Sequence, residues 1–240
     1  MLTTIKARVR QTGRVVIDLA LQRRQLHFLH IGKTGGTAVK EALAEQNVPK
    51  YRLHLHGHDV ALEHVRAKER VFFFLRDPSS RFTSGFYSRQ RKGRPRYDYP
   101  WTREESKAFA IFPTANDLAE ALSSPLREQA LEAMLSIRHV RSHIAWWLGS
   151  VGYLKERIDD LFFVGFLETF SADTKELFSK LGIKAELPTD DISTHSNPPH
   201  VDMTLSDEAM RNLSVWYGED FQLYDYAREI AEQVNSRKPA

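Results

Sequence analysis

Three observations in this 240-residue chain predict an α/β fold built on a central parallel sheet. From Leu26 onward, short apolar runs alternate with segments of helical period. The run Val71-Phe72-Phe73-Phe74-Leu75 is apolar on both faces, as a parallel strand covered on each side must be. Finally, Gly35-Gly36 stand at a strand-to-helix turn, where open parallel sheets hold their ligands.

The totals restrict the possibilities. A chain of 240 residues that is 42% hydrophobic suits one large domain, and with no linker or internal repeat to divide it, residues 1–240 are read as a single unit. Lys plus Arg number 34 against 31 Asp plus Glu. The resulting pI near 9.0 fits an anionic ligand better than a nucleic-acid coat, so no nucleic-acid partner is expected. The absence of cysteine rules out disulfides and thiolate metal sites and leans toward a reducing compartment. Lys6, Arg8, Arg10, Arg14 and Asp18 interrupt the first twenty residues, so these lack a signal-peptide core. No apolar run approaches the ~20 residues of a spanning helix, and a soluble, cytoplasmic protein is expected.

Residues 3–21 form two period-2 segments about Gln11-Thr12-Gly13, which predicts a β-hairpin within a β-rich extension over residues 1–25. It would serve as an edge extension or as a contact arm for a second subunit; a dimer is possible and the oligomeric state stays open. The sheet region then reads strand 26–31, helix 37–46, strand 51–56, helix 59–68, strand 71–76 and helix 79–92. Residues 89–99 are basic, contain Gly93 and Pro95, and show no period. A mobile loop is expected there, either a solvated surface or a rim that attracts an acidic acceptor. Residues 94–160 are expected to be largely helical, with Thr114 and Ser124 as N-caps of helices over 116–122 and 125–136. Another buried strand is predicted at 161–167, then a helix over 168–181 stopped by Gly182. A polar loop at 183–203 leads to two closing helices at 206–217 and 219–234, whose aromatic residues read as core.

Chemistry concentrates in Ile31-Gly32-Lys33-Thr34-Gly35-Gly36-Thr37-Ala38. Two glycines allow close backbone approach, the first turn of the following helix presents free N–H groups, and Lys33 adds a full charge. Together they make a cradle for a phosphate-like group. An ATP loop of the Gly-x-x-x-x-Gly-Lys-[Ser/Thr] type carries its lysine after the glycines, whereas Lys33 precedes them. Neither apolar strand ends in the aspartate of a magnesium site, since Arg76 precedes Asp77 and Glu168 follows the other run. The second signal is Arg76-Asp77-Pro78 with Arg81 and Ser84, directly after a strand. Arg76 offers a bidentate fork, Pro78 suits a first helical turn, and Ser84 lies about two turns further on. Two phosphate sites on neighbouring strands suggest a nucleotide phosphorylated at two places.

These motifs resemble those of sulfotransferases that use 3′-phosphoadenosine 5′-phosphosulfate (PAPS). Lys33-Thr34-Gly35-Gly36-Thr37 looks like their 5′-phosphosulfate loop, and Arg76-Asp77-Pro78 with Arg81 and Ser84 looks like their 3′-phosphate motif. The resemblance implies a P-loop-like three-layer α/β fold, with the central sheet flanked by helices and no metal required. It also implies that Lys33, Thr34, Gly35, Gly36, Thr37 and Ala38 hold the 5′-phosphosulfate, and Arg76 and Ser84 the 3′-phosphate. Between the motifs, His54, His56 and His58 recur at period 2, which on a strand would place them on one face. His56-Gly57-His58 is similar to the paired-histidine segment of heparan sulfate 2-O-sulfotransferase and related uronyl sulfotransferases. In that group a histidine is the general base, which implies His58, with His56 assisting.

A histidine base suits loss of the acceptor proton near neutral pH, and Lys33 suits charge building on the leaving bisphosphate (PAP). Alternating histidines also serve as polar strand contacts or zinc ligands, but His58-Asp59 reverses the order of metallo-hydrolase motifs, and His54 reads as structural. The loop Ser193-Thr194-His195-Ser196-Asn197 resembles the family's nucleotide-side loop, which implies His195 and Asn197 as further donor contacts. Acceptor selection is expected from residues 94–160. The expectation is therefore sulfuryl transfer from PAPS to a hydroxyl of a carbohydrate, a glycan included, or of another small acceptor. The alternatives are a magnesium-dependent nucleotide phosphotransferase and a non-enzymatic nucleotide- or polyanion-binding module.

Overall fold

The computed structural model describes residues 23–188 and 202–238. The hairpin expected over residues 3–21 lies outside the described residues.

Four strands, β1 (Arg24–Leu29), β2 (Tyr51–Leu55), β3 (Arg70–Leu75) and β4 (Leu161–Phe166), form one sheet in the order β2-β1-β3-β4. Every pairing in it is parallel. Parallel neighbours need crossovers that cover both faces, and period-2 alternation sorts the side chains accordingly. Leu26, Phe28, Phe72 and Phe74 go to one face, packed with α1 (Gly36–Leu43) and a later helix carrying Leu177 and Phe178. Leu29, Phe73, Leu75 and Val164 go to the other, against Trp147, Leu148, Leu223 and Ile230. The sheet with helices on both faces is the P-loop-like three-layer α/β arrangement expected.

After β3 the chain enters α2 (Pro78–Gln90), with Pro78 in its first turn and Asp77 at the N-cap, its carboxylate accepting from the Ser80 N–H at 2.8 Å. Helices α3 (Arg103–Ile111), α4 (Ala115–Ala121), α5 (Arg127–Ser136), α6 (Ala145–Leu148) and α7 (Val151–Glu156) fill the stretch before β4. Then come α8 (Phe170–Leu181), α9 (Asp207–Trp216) and α10 (Gly218–Ser236). A core without strands joins this layer, with Phe82, Phe86, Phe112, Leu118, Met134 and Tyr217 buried in it.

Three expectations are corrected. The helix at 59–68 is only a 3-10 turn at Leu62–His64. Arg157 pins the segment in turns: its guanidinium donates to the carbonyls of Leu62, Val65 and Arg66 at 3.2, 3.0 and 3.2 Å, while the backbone bonds there run three residues apart, Val65 N–H to Leu62 and Glu69 N–H to Arg66 at 3.1 and 3.2 Å. The helix at 168–181 begins at Phe170, after a 3-10 turn over Leu167–Thr169; Gly182 ends it at φ +70° as expected. Ser124 does not cap α5, because its Oγ accepts the Leu126 N–H at 3.0 Å within the preceding turn. Thr114 does cap α4, in a reciprocal pair with Asp117.

The outer edge of β4 is covered by side chains. Asn235 accepts the Val164 N–H and donates to the Val164 carbonyl, both at 3.0 Å, while Asp173 accepts the Phe166 N–H at 2.7 Å. Among the described residues no helix is long and apolar enough to cross a membrane.

Candidate functional site

A cavity of about 410 Å³ opens beside the glycine turn. Lys33, Gly35, Gly36, Thr37 and Ala38 line it together with His58, Arg76 and Ser84, so the structure gathers most of the predicted site residues in one place.

Local geometry explains the turn that follows β1. Thr34, only 1% exposed, donates from Oγ1 to the Ile31 carbonyl at 2.9 Å. Its hydroxyl is thus spent inside the turn and does not line the cavity. Lys33 and Gly35 both take left-handed backbone, φ +70° and +80°, which at Gly35 carries no steric penalty. Gly36 answers a different need: a Cβ there would lie 2.2 Å from Cδ2 of the His30 ring. Arg81, from the second motif, faces inward rather than into the cavity. Its Nε donates to the Gly32 carbonyl at 2.9 Å, and its Nη1 lies 3.8 Å from the buried Asp220. Arg81 therefore braces the glycine turn against α10. Arg76 donates to Ser80 Oγ at 2.8 Å and stands between the main cavity and a second one of about 430 Å³, lined also by Ser79, Thr83 and Met210.

The histidines divide. His54 and His56 do share a face: each stacks on His27, with centroids 4.5 and 5.1 Å away, and His56 Nε2 lies 2.9 Å from His27 Nδ1. His56 is not among the residues lining the cavity. His58 lies beyond the end of β2, no longer bound by strand alternation, and does line it. Its Nδ1 is 2.7 Å from the His30 carbonyl oxygen. A carbonyl can only accept, so Nδ1 carries the proton and Nε2 keeps its lone pair. Trp147 Nε1 donates to the His58 carbonyl at 2.9 Å, and Lys40 donates to that of His56 at 3.0 Å, fixing the segment from both ends.

No aspartate or glutamate is among the residues lining the cavity, whereas Lys33, Lys40, Arg76, Arg89 and Arg138 all are. Burial and then the neighbouring Arg91, Arg76 and Arg81 push the Lys33 ammonium down to about 7. Burial lowers His58 below the usual imidazole range, outweighing its backbone hydrogen bond, with Lys40, Arg138 and Lys33 adding to the effect. Both His30, lowered to about 3, and His139, well below its ordinary value, stay neutral for the same first reason. Arg89 is matched by the buried Glu105 and Arg76 feels Glu168 and Asp77, but Lys33, depressed by its cationic neighbours and with no carboxylate beside it in the lining, suits a polyanionic group that would supply charge there. Among the described residues no group of three or more His, Asp or Glu side chains is placed to hold a metal.

Several lining residues carry no sequence signal of their own: His30, Lys40, Arg138, His139, Tyr97 and Tyr99. One hint existed for His139. Gly85 sits inside α2, where glycine weakens a helix, and a Cβ there would meet the His139 Cβ at 3.1 Å. The basic stretch after α2 is folded into turns, with the Gly93 N–H donating to the Ser88 carbonyl and the Tyr99 N–H to that of Lys92 at 2.8 and 2.9 Å. His195 and Asn197, expected as donor contacts, lie outside the described residues.

The model of the sulfotransferase family matches residues 21–227 of the chain. No curated protein and no solved structure matches it.

Proposed function

Because the chain belongs to the sulfotransferase family, we propose that it moves the sulfuryl group of PAPS to a hydroxyl of a carbohydrate or other small acceptor. The observation that carries this reading is the shared cavity. His58, with its Nε2 unprotonated, and Lys33 open onto the space bounded by the glycine turn, Arg76 and Ser84, with no carboxylate in the lining.

The donor contributes a sulfuryl group already activated on a phosphate. The Gly35-Gly36-Thr37 backbone and Lys33 hold the phosphosulfate end, and Arg76 with Ser84 holds the 3′-phosphate. His58 Nε2 takes the proton of the acceptor hydroxyl as its oxygen attacks sulfur, while the His30 carbonyl keeps Nδ1–H in place through the 2.7 Å hydrogen bond. Lys33, recharged beside the bound anion, offsets the charge that builds on the leaving bisphosphate. In this reading His58 is the base, and His56, paired with His27, steadies the segment. The His56-Gly57-His58 segment supports reading the chain as an enzyme like the uronyl sulfotransferases, soluble, cytoplasmic and needing no metal.

The rival reading of a magnesium-dependent phosphotransferase needs an acid at a strand end. The two present are engaged with backbone: Asp77 caps the Ser80 N–H, and Glu168 accepts the Asp77 N–H at 2.9 Å. Incubation with PAPS and a panel of hydroxyl acceptors is expected to release 3′,5′-bisphosphate in an acceptor-dependent way. His58→Ala should lose turnover by ~10²–10⁴-fold, as removal of a general base does, yet still bind the bisphosphate. A polyanion-binding module would instead survive that substitution unchanged. Absence of both bisphosphate binding and release would sink the proposal.

A further inference from the structure

Most large aromatic side chains of the described residues are buried. Among those described as exposed, only Tyr97, Tyr99 and Trp146 are aromatic, at 40%, 50% and 51%. Two of these three stand side by side on the cavity lining. The Tyr97 and Tyr99 rings are stacked, with centroids 5.1 Å apart and planes within 26°. Exposed apolar ring surface is unfavourable in water unless something covers it.

The turn that carries the pair is built to hold it. Gly93 adopts φ +82°, where a side chain is strained, and a Cβ there would crowd the Tyr97 Cβ at 3.2 Å, so glycine suits the turn that carries the ring. The Tyr97 N–H donates to the Gly93 carbonyl at 3.1 Å. On one side the Arg96 guanidinium lies 5.7 Å from the Tyr97 ring centroid and pairs with Glu41 of α1 at 2.6 Å. On the other, Arg89 and Glu105 form a buried ion pair, and Arg89 also donates to the Tyr99 and Pro100 carbonyls at 3.4 and 3.3 Å. Glu105 Oε1 further accepts the Arg138 N–H at 3.2 Å, tying the tyrosine turn to the segment that bears His139.

We propose that Tyr97 and Tyr99 determine acceptor specificity, forming the platform on which the apolar face of a pyranoside ring lies while one of its hydroxyls reaches His58. The proposal rests on the sulfotransfer reading above. The polar lining decides between ring types. Ser88 and Arg138 line the cavity with polar side chains, which a ligand rich in oxygen can engage and a ligand poor in oxygen cannot. A phenol brings one oxygen, and that oxygen is committed to His58. A pyranoside brings several, together with a flat C–H face suited to an aromatic ring.

The test separates donor from acceptor. Protein loaded with 3′,5′-bisphosphate is titrated with methyl pyranosides and with simple phenols, and binding is read by saturation-transfer NMR; bisphosphate affinity is measured separately by calorimetry. Pyranosides are expected to bind the wild type, with at least tenfold loss in Tyr97→Ala and Tyr99→Ala. Tyr97→Phe and Tyr99→Phe, which keep the ring, should restore binding, and all four variants should keep the wild-type bisphosphate affinity. Where turnover is measurable, the alanine variants should raise acceptor KM with kcat little changed. Pyranosides that fail to bind the wild type, alanine variants that bind them equally well, or a preference for phenols would each overturn the platform. Failure of bisphosphate to bind the wild type would instead count against the sulfotransfer reading.

Discussion

Lys33 makes donor binding depend on pH in a direction and amount set by its surroundings. Its ammonium is held at about 7 rather than the ordinary 10.5, through burial and the adjacent Arg91, Arg76 and Arg81. A bound bisphosphate leaves Lys33 buried but places negative charge beside it that offsets the arginines and favours the charged form, so above pH 7 binding must draw a proton from solvent. For a free-state value of 7 and a bound-state value well above 9, the apparent Kd rises roughly 50-fold between pH 7 and pH 9, about 2.3 kcal/mol. The ligand phosphates titrate near 6 and contribute little in that window. Calorimetry in buffers of different ionisation enthalpy should register uptake approaching one proton at pH 8 to 9. Lys33→Arg, which stays charged throughout, should bind with no such uptake and a flat profile. A wild-type Kd that is flat from pH 7 to 9 would refute the linkage. The same displacement governs the unliganded chain. Between 7 and 10.5 the unfolded lysine holds a proton that the folded one has lost, so stability rises with pH across that window.

Other substitutions separate the remaining roles. Arg76→Ala should weaken bisphosphate binding by ~10- to 150-fold, the equivalent of a charged hydrogen bond of about 1.5–3 kcal/mol, read by calorimetry. Gly36→Ala forces a Cβ to 2.2 Å from the His30 ring. An overpacking penalty of ~1–3 kcal/mol should lower Tm by roughly 2–12 °C in thermal unfolding. His56→Ala should leave bisphosphate affinity unchanged and retain most turnover; a loss as deep as that of His58→Ala would return His56 to the base role.

What could be read from the residues alone was what short-range chemistry decides. Gly35 is required by a positive φ within its own turn, and Asp77-Pro78 start α2 through a cap that reaches only to Ser80. The apolar runs of β3 and β4 declare themselves because both faces are buried. Contacts between distant segments left no such trace. The helical period over 59–68 was overridden by a contact with Arg157, which lies far along the chain and holds the segment's carbonyls in turns. His56 and His58 could not be ranked by period, because the outcome depends on where β2 stops and on the His30 carbonyl. Likewise the wall of Tyr97, Tyr99 and His139 is assembled through Glu105, whose partners come from separate turns.

The covered edge of β4 bears on how copies of the chain meet one another. An edge strand with free N–H and carbonyl groups is a template for a neighbour's strand and a starting point for aggregation. Asn235 presents to Val164 an amide with the same donor and acceptor as a backbone peptide, and Asp173 takes the next outward N–H at Phe166. These two side chains close the sheet at that edge to intermolecular pairing. Self-association through that edge would have to displace a C-terminal helical turn first, so crowded, partly unfolded chains are most exposed to one another when α10 frays.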